Sequence, residues 1–128
     1  MITANNLSKS YSGVKVLQID NIEIPKGQSF GLVGNNGAGK TTFFNLLLDL
    51  IQPTSGHIFN NEIQVNKSED WKTFTSAFID ESFLIGYLTP EEYFYFIGDL
   101  RNQNKADVDS LLAQFDDFFH DEILKKKK

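Results

Sequence analysis

The sequence contains no cysteine, so disulfide bonds and thiolate metal sites are excluded. It has two histidines, His57 and His120, and neither has a partner at ligand spacing, so we expect no histidine metal centre and no Ser-His-Asp triad. No apolar run approaches the roughly 18 residues of a transmembrane helix. Met1 is followed by polar residues rather than by a basic region and an apolar core, so no secretory signal is predicted. These absences predict a soluble, cytoplasmic chain.

Positive charge is outnumbered by negative charge along the chain. There are 12 Lys and Arg against 17 Asp and Glu, a formal net charge of -5 at pH 7, which argues against nucleic acid as the main partner. Acidic residues concentrate between positions 107 and 122, and the chain ends in four lysines at 125–128. We interpret this as a solvated helix face with cations near a helix C-terminus. A lysine tail that binds anionic lipid is a less favoured alternative.

One motif stands out, the stretch Gly34-Asn35-Asn36-Gly37-Ala38-Gly39-Lys40-Thr41, which matches G-x-x-x-x-G-K-[ST]. Its glycines tolerate positive φ, so the backbone can curl tightly and turn its N–H groups inward as an anion-binding nest. The helix expected after the loop adds the partial positive charge of its N-terminus. In such a loop Lys40 reaches the β- and γ-phosphates of a nucleotide, and the Thr41 hydroxyl binds Mg²⁺. A purely structural glycine turn is the alternative.

The residues on both sides of this loop fit a strand and a helix. Residues 28–33 form a short, mostly apolar run, as a buried parallel strand requires. Apolar residues at helical spacing follow the loop and nearly surround the expected helix, which we therefore expect to be buried. They are Phe43, Phe44, Leu46, Leu47, Leu48, Leu50 and Ile51. Strand, glycine loop and helix in this order favour the phosphate-binding interpretation.

The first half of the chain also predicts three further strands. Residues 2–7 and 14–24 alternate loosely and are joined by a polar connection that carries one aromatic, Tyr11. Taken alone, Tyr11 is more typical of a partly buried loop residue than of a ligand contact. Residues 53–56 (Pro-Thr-Ser-Gly) predict a turn into the third strand, which begins at His57, a residue that we expect on the surface.

The next part of the chain predicts one more strand and a loop. Residues 76–80 read as a short buried strand that is entered through a polar stretch at 66–72. Residues 83–88 are apolar but contain Gly86, which favours a loop. This loop contains two aromatics, Phe83 and Tyr87, for which simple packing is one interpretation.

Two helices are predicted in the last third. Thr89, Pro90 and Glu92 give a clear helix start, because threonine caps, proline is favoured at the first helical position and glutamate completes a capping box. Tyr95 lies within this helix. Residues 107–119 predict a second helix. Its apolar face is formed by Val108, Leu111, Leu112, Phe115 and Phe119.

Several of these segments occur in an order that resembles a known family. They are residues 7–11 (Leu-Ser-Lys-Ser-Tyr), 16–17 (Val-Leu), 24–28 (Ile-Pro-Lys-Gly-Gln), the loop at 34–41 and the turn at 53–56. Together they resemble the N-terminal part of an ATP-binding-cassette (ABC) nucleotide-binding domain. The resemblance covers essentially the whole chain but only the first half of that domain.

The resemblance implies roles for individual residues in binding ATP and Mg²⁺. Tyr11 matches the aromatic that stacks on adenine, and Val16 matches an apolar residue that lines the same base. A stacking aromatic suits a purine because every base has a π-face. The phosphate-loop contacts carry over to Asn35, Asn36, Gly37, Ala38, Gly39, Lys40, Thr41 and Thr42. Asn35 departs from the family, where proline or serine is commoner.

Asp80 stands where the family usually has a glutamine that contacts Mg²⁺ and the attacking water. A carboxylate is itself a good Mg²⁺ ligand, so the resemblance implies a metal site formed by Thr41 and Asp80. The shorter and charged side chain is also expected to alter the hinge that this residue provides. The alternative is a solvated strand end with no role in metal binding.

Three catalytic parts of the family are not found in the sequence: the serine-glycine signature, the acidic strand end with its catalytic glutamate, and the late histidine. Phosphoryl transfer depends on such positioning and charge-stabilising groups. This polypeptide alone is therefore expected to bind ATP without significant hydrolysis. The missing sheet strands are also expected to leave an open edge through which the chain can self-associate.

The resemblance implies an α/β fold, with the core of a P-loop NTPase of the ABC type, N-terminal antiparallel strands and the start of an α-helical subdomain. We divide it at residues 1–80, the phosphate-loop part of the core, and 81–128, the beginning of the helical subdomain. The function implied is that of the ATP-binding subunit of an ABC transporter. Its partners would be transmembrane permease subunits and a second ATP-binding subunit, with the chain held peripherally at the inner face of the cell membrane. In this family the region around residues 83–95 faces the transmembrane partner, so the resemblance implies a docking surface formed by exposed Phe83, Tyr87 or Tyr95, with simple packing as the alternative.

Three alternatives to the transporter hypothesis stay open. The first is a non-hydrolytic nucleotide-binding or interaction module. The second is a soluble, non-transport ABC ATPase, although the basic surface expected for work on nucleic acid is not evident in the composition. An unrelated phosphate-loop kinase is the third, and it would make Tyr11 and the turn at 53–56 coincidences.

Overall fold

The computed structural model describes residues 1–119 and 121–126, with only the backbone described at 121 and 122. The chain forms two compact units, Met1–Ala77 and Phe78–Lys128. Among the described residues, no helix is long and apolar enough to cross a membrane.

The first unit contains a four-stranded antiparallel sheet in the order β2-β1-β3-β4. Strand β1 is central and pairs with β2 on one side and with β3 on the other. The described strands are β1 (Ile2–Tyr11), β2 (Val14–Ile24), β3 (Ser55–Asn60) and β4 (Ile63–Gln64). The predicted N-terminal antiparallel strands and the strand after the turn at 53–56 are thus confirmed.

The polar connection predicted at residues 8–13 is wrong, because β1 continues to Tyr11 and joins β2 through a two-residue turn. Ser12 and Gly13 have φ of 48° and 81°, the positive values that a tight type I′ hairpin turn requires. Ser8 belongs to the sheet, where its hydroxyl lies 2.7 Å from that of Ser55. This hydrogen bond satisfies the Ser8 hydroxyl inside the sheet. The hydrophobic pattern of the sequence does not show such a bond, so Ser8 was predicted to lie in a loop.

The core of the first unit lies between the sheet and α1 (Lys40–Leu47). Trp71 also belongs to it, within a short 3-10 helix at Asp70–Phe74. Its indole N–H donates to the carbonyl of Val65 at 3.0 Å, so the stretch expected to be polar contains a buried anchor. The buried core residues are Ala4, Leu7, Leu17, Phe43, Leu46, Leu47, Ile58, Val65 and Trp71.

Helix α1 is shorter and less buried than predicted. It ends at Leu47, and Asp49 takes a left-handed conformation with φ of 54°. The amides of Leu50 and Ile51 donate back to the carbonyl of Asn45, which closes the helix. Phe43 and the two leucines facing the sheet are buried, whereas Phe44 is exposed. The expectation of a helix buried all round was wrong, because the described first unit covers one face only.

The parallel strand predicted at 28–33 and the short buried strand predicted at 76–80 are not formed in the structure. Residues 28–33 and 76–80 are assigned to no strand, and they leave Val33 90% and Phe78 72% exposed. A strand is defined by hydrogen bonds to a neighbour. Neither segment forms a β-ladder with a described strand. Leu32 still packs partly against the core, so the apolar sequence produces partial burial without a strand.

The second unit contains short helices. Helix α2 (Pro90–Leu100) starts as predicted, with both hydrogen bonds of the Thr89/Glu92 capping box present. Residues 84–88, after a 3-10 turn at Glu81–Phe83, form the expected loop. The remaining described helices are α3 (Lys105–Leu112), a 3-10 turn at Ala113–Phe115, and α4 (Asp121–Leu124).

The helix predicted at 107–119 was misplaced. Helix α3 begins at Lys105 because Asn104 caps it and Asp107 completes a second capping box. It packs closely on α2, where Gly98 is buried beside Val108. Leu111 and Phe115, which were assigned to the apolar face, are exposed. Only Val108 of that face is fully buried in the described structure.

Candidate nucleotide-binding site

The predicted phosphate loop leads directly into the N-terminus of α1. Gly37 and Gly39 have φ of 82° and 87°, values that favour glycine over every other residue. The amide of Ala38 donates to the carbonyl of Asn35 at 3.1 Å, which closes the turn. Gly39 then starts the helix, since its carbonyl accepts the amide of Phe43 at 2.8 Å. The first-turn N–H groups of such a helix have no intrahelical acceptor and can face an anion.

Lys40 lies over this loop. Its ammonium donates to the carbonyls of Gly34 and Asn35, the latter at 2.8 Å. In a phosphate loop the lysine ammonium stands where it can contact an incoming phosphate. The neighbouring Thr41 side chain is exposed and accessible to a bound ion. The residues present therefore fit a polyphosphate, and when Mg²⁺ is bound with it the metal neutralises the charge on the phosphate oxygens.

A bulge in β2 supports the loop from below. Lys9 pairs with Leu17 and Ser10 pairs with Lys15, so Val16 is an extra, unpaired residue of β2. A Cβ on Gly39 would lie 2.7 Å from the Val16 carbonyl oxygen, closer than any real contact. The hairpin and the phosphate loop are therefore in direct contact at Gly39, and this contact fixes where the loop begins its helix.

Tyr11 lies on the same hairpin, at the turn beyond the bulge. It pairs with Val14, two residues from Val16, which places it about 7 Å along the strand from the Gly39 contact. Its ring is 51% exposed. The Lys9 ammonium lies 4.8 Å from the ring centroid. Tyr11 and the Val16 contact of the phosphate loop thus lie on the same hairpin.

The site is open rather than enclosed. Thr41 and Tyr11 are both exposed, and neither lines the cavity of about 190 Å³ that borders the loop. A nucleotide here would be held by its phosphates and by stacking on an exposed ring. Burial of the ligand by the first unit would contribute little to its affinity.

Asp80 belongs to the second unit, whereas Thr41 belongs to the first, so their joint Mg²⁺ site stays a prediction. The Asp80 carboxylate accepts hydrogen bonds from the hydroxyl and the backbone amide of Ser82, the latter at 2.7 Å. These two hydrogen bonds hold the pKa of Asp80 below its ordinary value, with the hydroxyl contributing most. An ionised carboxylate is the form that binds a metal. No cluster of three or more His, Asp or Glu residues among the described positions could hold a metal ion by itself.

Comparison with known proteins identifies the fold. The family model of the ABC transporter matches residues 17–128. The chain belongs to the ABC transporter family. It is 31% identical over 121 residues to ABC transporter A family member 3 of Arabidopsis thaliana, and 36% identical over 112 residues to member 10 of the same plant. The matches cover 88% and 79% of this chain but 13% and 12% of those relatives.

A solved structure gives the same answer for the fold. The dimeric structure of the ATP-binding cassette MJ0796, bound to ADP and Pi, matches with a TM-score of 0.79 at 20% sequence identity. The match covers 99% of this chain and 61% of that cassette. The predicted α/β fold, a P-loop core of the ABC type with N-terminal antiparallel strands, is confirmed.

The sequence did not reveal some residues around the site. Lys9 was missed, although it stands two positions before Tyr11 and so lies on the same face of β1. Ser82 was also missed, although it stands two positions after Asp80, a spacing at which an aspartate side chain often accepts a backbone hydrogen bond. His57 is exposed, as expected for a surface residue, and its Nδ1 lies 3.2 Å from the Gln64 side-chain amide. His120 lies outside the described residues.

Proposed function

We propose that this member of the ABC transporter family is part of an ATP-binding subunit, which binds MgATP to drive movement of a substrate across a membrane. The observation that carries the proposal is the curled loop at 34–41, with Lys40 held over its carbonyls at the start of α1. The chain spans about an eighth of the length of the curated relatives it matches. The activity of the whole protein is therefore part of the proposal.

Each residue of the site has a role in this proposal. The backbone from Asn35 to Gly39 and the Lys40 ammonium bind the phosphates. Thr42, beside them in the first turn of α1, adds its amide and hydroxyl. Thr41 binds Mg²⁺, Asp80 is a further candidate ligand of the metal, and the exposed Tyr11 ring stacks on the base next to Val16. The contact of Gly39 with Val16 supports this division, because it brings the phosphate loop against the hairpin that carries Tyr11.

The partners proposed are transmembrane permease subunits and a second ATP-binding subunit. Two exposed aromatics of the second unit support the first partner, Phe83 and Tyr87, the latter 75% exposed. Exposed apolar side chains mark an interaction surface where they form a contiguous patch. The third residue expected there, Tyr95, is half-buried and donates its hydroxyl to Asp109 at 2.7 Å, so it supports helix packing instead. We place the protein at the inner face of the cell membrane, held through these partners.

A non-hydrolytic role is the second candidate for the polypeptide itself. The 128 residues contain no serine-glycine signature and no acidic strand end, so the groups that position water and stabilise the transferred phosphoryl are not within it. We expect MgATP binding without significant turnover. Steady phosphate release by the purified polypeptide, lost in Lys40→Ala, would contradict this.

Nucleotide titration tests the main proposal. Isothermal calorimetry with MgATP is expected to show one site. Lys40→Ala is expected to abolish measurable binding, since hydrogen bonds to charged groups contribute about 1.5–3 kcal/mol each. Tyr11→Ala should weaken binding by about 1–3 kcal/mol, the typical contribution of one stacked base. Tyr87→Ala is the matched control, because it removes an exposed tyrosine of the second unit and should leave affinity unchanged. Equal affinity in wild type and Lys40→Ala would overturn the proposal.

A further inference from the structure

Lys9 makes two contacts that bear on the Tyr11 ring. The two residues are separated by one position on β1, so their side chains emerge on the same face of the sheet. The Lys9 ammonium donates to the carbonyl of Gln52 at 2.7 Å and lies 4.8 Å from the centroid of the Tyr11 ring. One cation therefore binds a fixed backbone oxygen and covers an aromatic face.

The backbone around Lys9 holds this arrangement in place. The amide of Thr54 donates to the carbonyl of Ser8 at 2.8 Å, and the amide of Ser10 donates to the Thr54 hydroxyl at 2.9 Å. The end of β1 is thus tied to the segment that follows α1, which also supplies the Gln52 carbonyl. The backbone thus determines the position of the Lys9 ammonium, and the exposed Tyr11 ring packs against it.

A stacked base needs a free ring face, and the Tyr11 ring has two. Lys9 occupies one of them, which leaves the opposite face for a ligand. Cation–π attraction at an exposed site favours one orientation of the ring over the others. A ring that is already oriented loses less freedom when the base stacks on it, and this pre-organisation appears as affinity.

We propose that Lys9 is a positioning residue for base recognition, which orients Tyr11 and directs the nucleotide base to the ring face opposite its ammonium. The proposal rests on the proposed function, since it assumes that Tyr11 stacks on a base. It assigns Lys9 no contact with the phosphates. Its effect must therefore depend on the base and on the Tyr11 ring.

The first test compares a ligand that has a base with one that lacks it. Binding of MgATP and of magnesium tripolyphosphate is measured by calorimetry for the wild type, Lys9→Met and Lys9→Arg. Lys9→Met is expected to weaken ATP binding about two- to fivefold, the equivalent of an exposed cation–π contact, and to leave tripolyphosphate binding unchanged. Lys9→Arg keeps the cation and a donor, so it should retain the wild-type affinity for ATP.

A double-mutant cycle with Tyr11→Ala separates positioning from a general effect of charge. Once the ring is removed, Lys9→Met should cause no further loss of ATP affinity. Lys26→Met is the matched control, since it removes one exposed lysine at the other end of the hairpin and should change neither affinity. Thermal unfolding of each variant shows whether it is folded at the temperature of the titration.

The outcomes distinguish this inference from the function on which it rests. Wild-type protein that binds neither ligand would refute the proposed function and the role of Lys9 with it. Normal wild-type binding with no change in Lys9→Met would overturn the positioning role alone. An equal loss for ATP and tripolyphosphate, or a loss that persists in the Tyr11→Ala background, would show that Lys9 acts by charge or by stability, and would also overturn it.

Discussion

Two glycines of the phosphate loop share a left-handed backbone but differ in their surroundings. Gly37 and Gly39 have nearly the same φ. A Cβ at Gly37 would meet nothing within 4 Å, whereas one at Gly39 would lie 2.7 Å from the Val16 carbonyl and 3.0 Å from Leu17 Cδ1. The pair therefore separates the cost of backbone strain from the cost of overpacking against the hairpin.

Alanine substitutions at these glycines should differ in stability. Gly37→Ala is expected to cost about 1–2 kcal/mol, the penalty for a side chain in a left-handed conformation. Gly39→Ala adds a clash with a backbone oxygen that cannot move away cheaply, and should cost about 1–3 kcal/mol more. Urea denaturation of the two variants measures the difference. Equal costs would show that the Gly39 contact with β2 is unimportant for stability.

A tyrosine that bridges α2 and α3 predicts a dependence on pH. The Tyr95 hydroxyl donates to Asp109 at 2.7 Å, and this hydrogen bond, followed by desolvation and the negative charges of Asp109 and Glu91, raises the pKa of Tyr95 to about 12. The pKa is raised on folding, so the stabilisation is fully present below the ordinary value of about 10 and is lost as pH rises through about 12.

Phenolate absorbance can follow this group directly. One of the four tyrosines of the wild type should ionise near pH 12, and the corresponding step should be missing from Tyr95→Phe. Asp109→Asn should bring the pKa of Tyr95 down toward its ordinary range, whereas Asp99→Asn, on the exposed side of α2, serves as the control. A Tyr95 pKa that does not respond to Asp109→Asn would contradict the hydrogen bond.

Between elements, the packing of α2 on α3 depends on a glycine without unusual backbone geometry. A Cβ at Gly98 would lie 2.5 Å from a methyl group of Val108, and valine has little rotameric freedom to move away. Gly98→Ala should destabilise by about 1–3 kcal/mol through overpacking, reduced by the roughly 0.5–1 kcal/mol that alanine gains over glycine within a helix.

A second substitution tests this explanation. Val108→Ala removes the methyl group that collides, so it should make Gly98→Ala nearly harmless, with a coupling energy of about 0.5–3 kcal/mol in a double-mutant cycle. Chemical denaturation of the wild type, the two single variants and the double variant gives this value. If the losses of unfolding free energy in the two single variants simply add in the double variant, the clash between residue 98 and Val108 is not the cause of the destabilisation.

The elements that local sequence determines were predictable. The phosphate loop and the capped start of α2 each depend on a few adjacent residues, and both are present. The turn predicted at 53–56 is shorter than expected, because Ser55 and Gly56 already belong to β3. The segments at 28–33 and 76–80 were predicted as strands from their apolar residues, but a strand forms only where another pairs with it. Helix α1 ends at Leu47, earlier than predicted, because Asp49 takes a positive φ that hydrophobic spacing does not encode. The bulge at Val16 could not be predicted either, because register is a property of two strands.

For the whole molecule, the exposed apolar segments predict association. Val33 is 90% exposed on an apolar stretch that forms no strand with a described neighbour, and unpaired backbone of this kind can pair with another chain. The purified polypeptide should therefore show concentration-dependent association in sedimentation velocity.

Val33→Ser should reduce that association if the segment at 28–33 carries it. Val14→Ser makes the same chemical change at another exposed valine, one that is already paired with β1, and it should have little effect. A polypeptide that stays monomeric at high concentration, or an equal response to both substitutions, would show that this segment does not drive association.

The contact between Gly39 and the Val16 bulge has a consequence for protein engineering and for divergence within the family. A one-residue insertion or deletion in β2 would turn Leu17 out of the core and move a different carbonyl under the loop. The phosphate loop is therefore not a transplantable module. A graft into another scaffold would need the hairpin with its bulge, and sequence changes in the two segments should occur together even though more than twenty positions separate Val16 from Gly39.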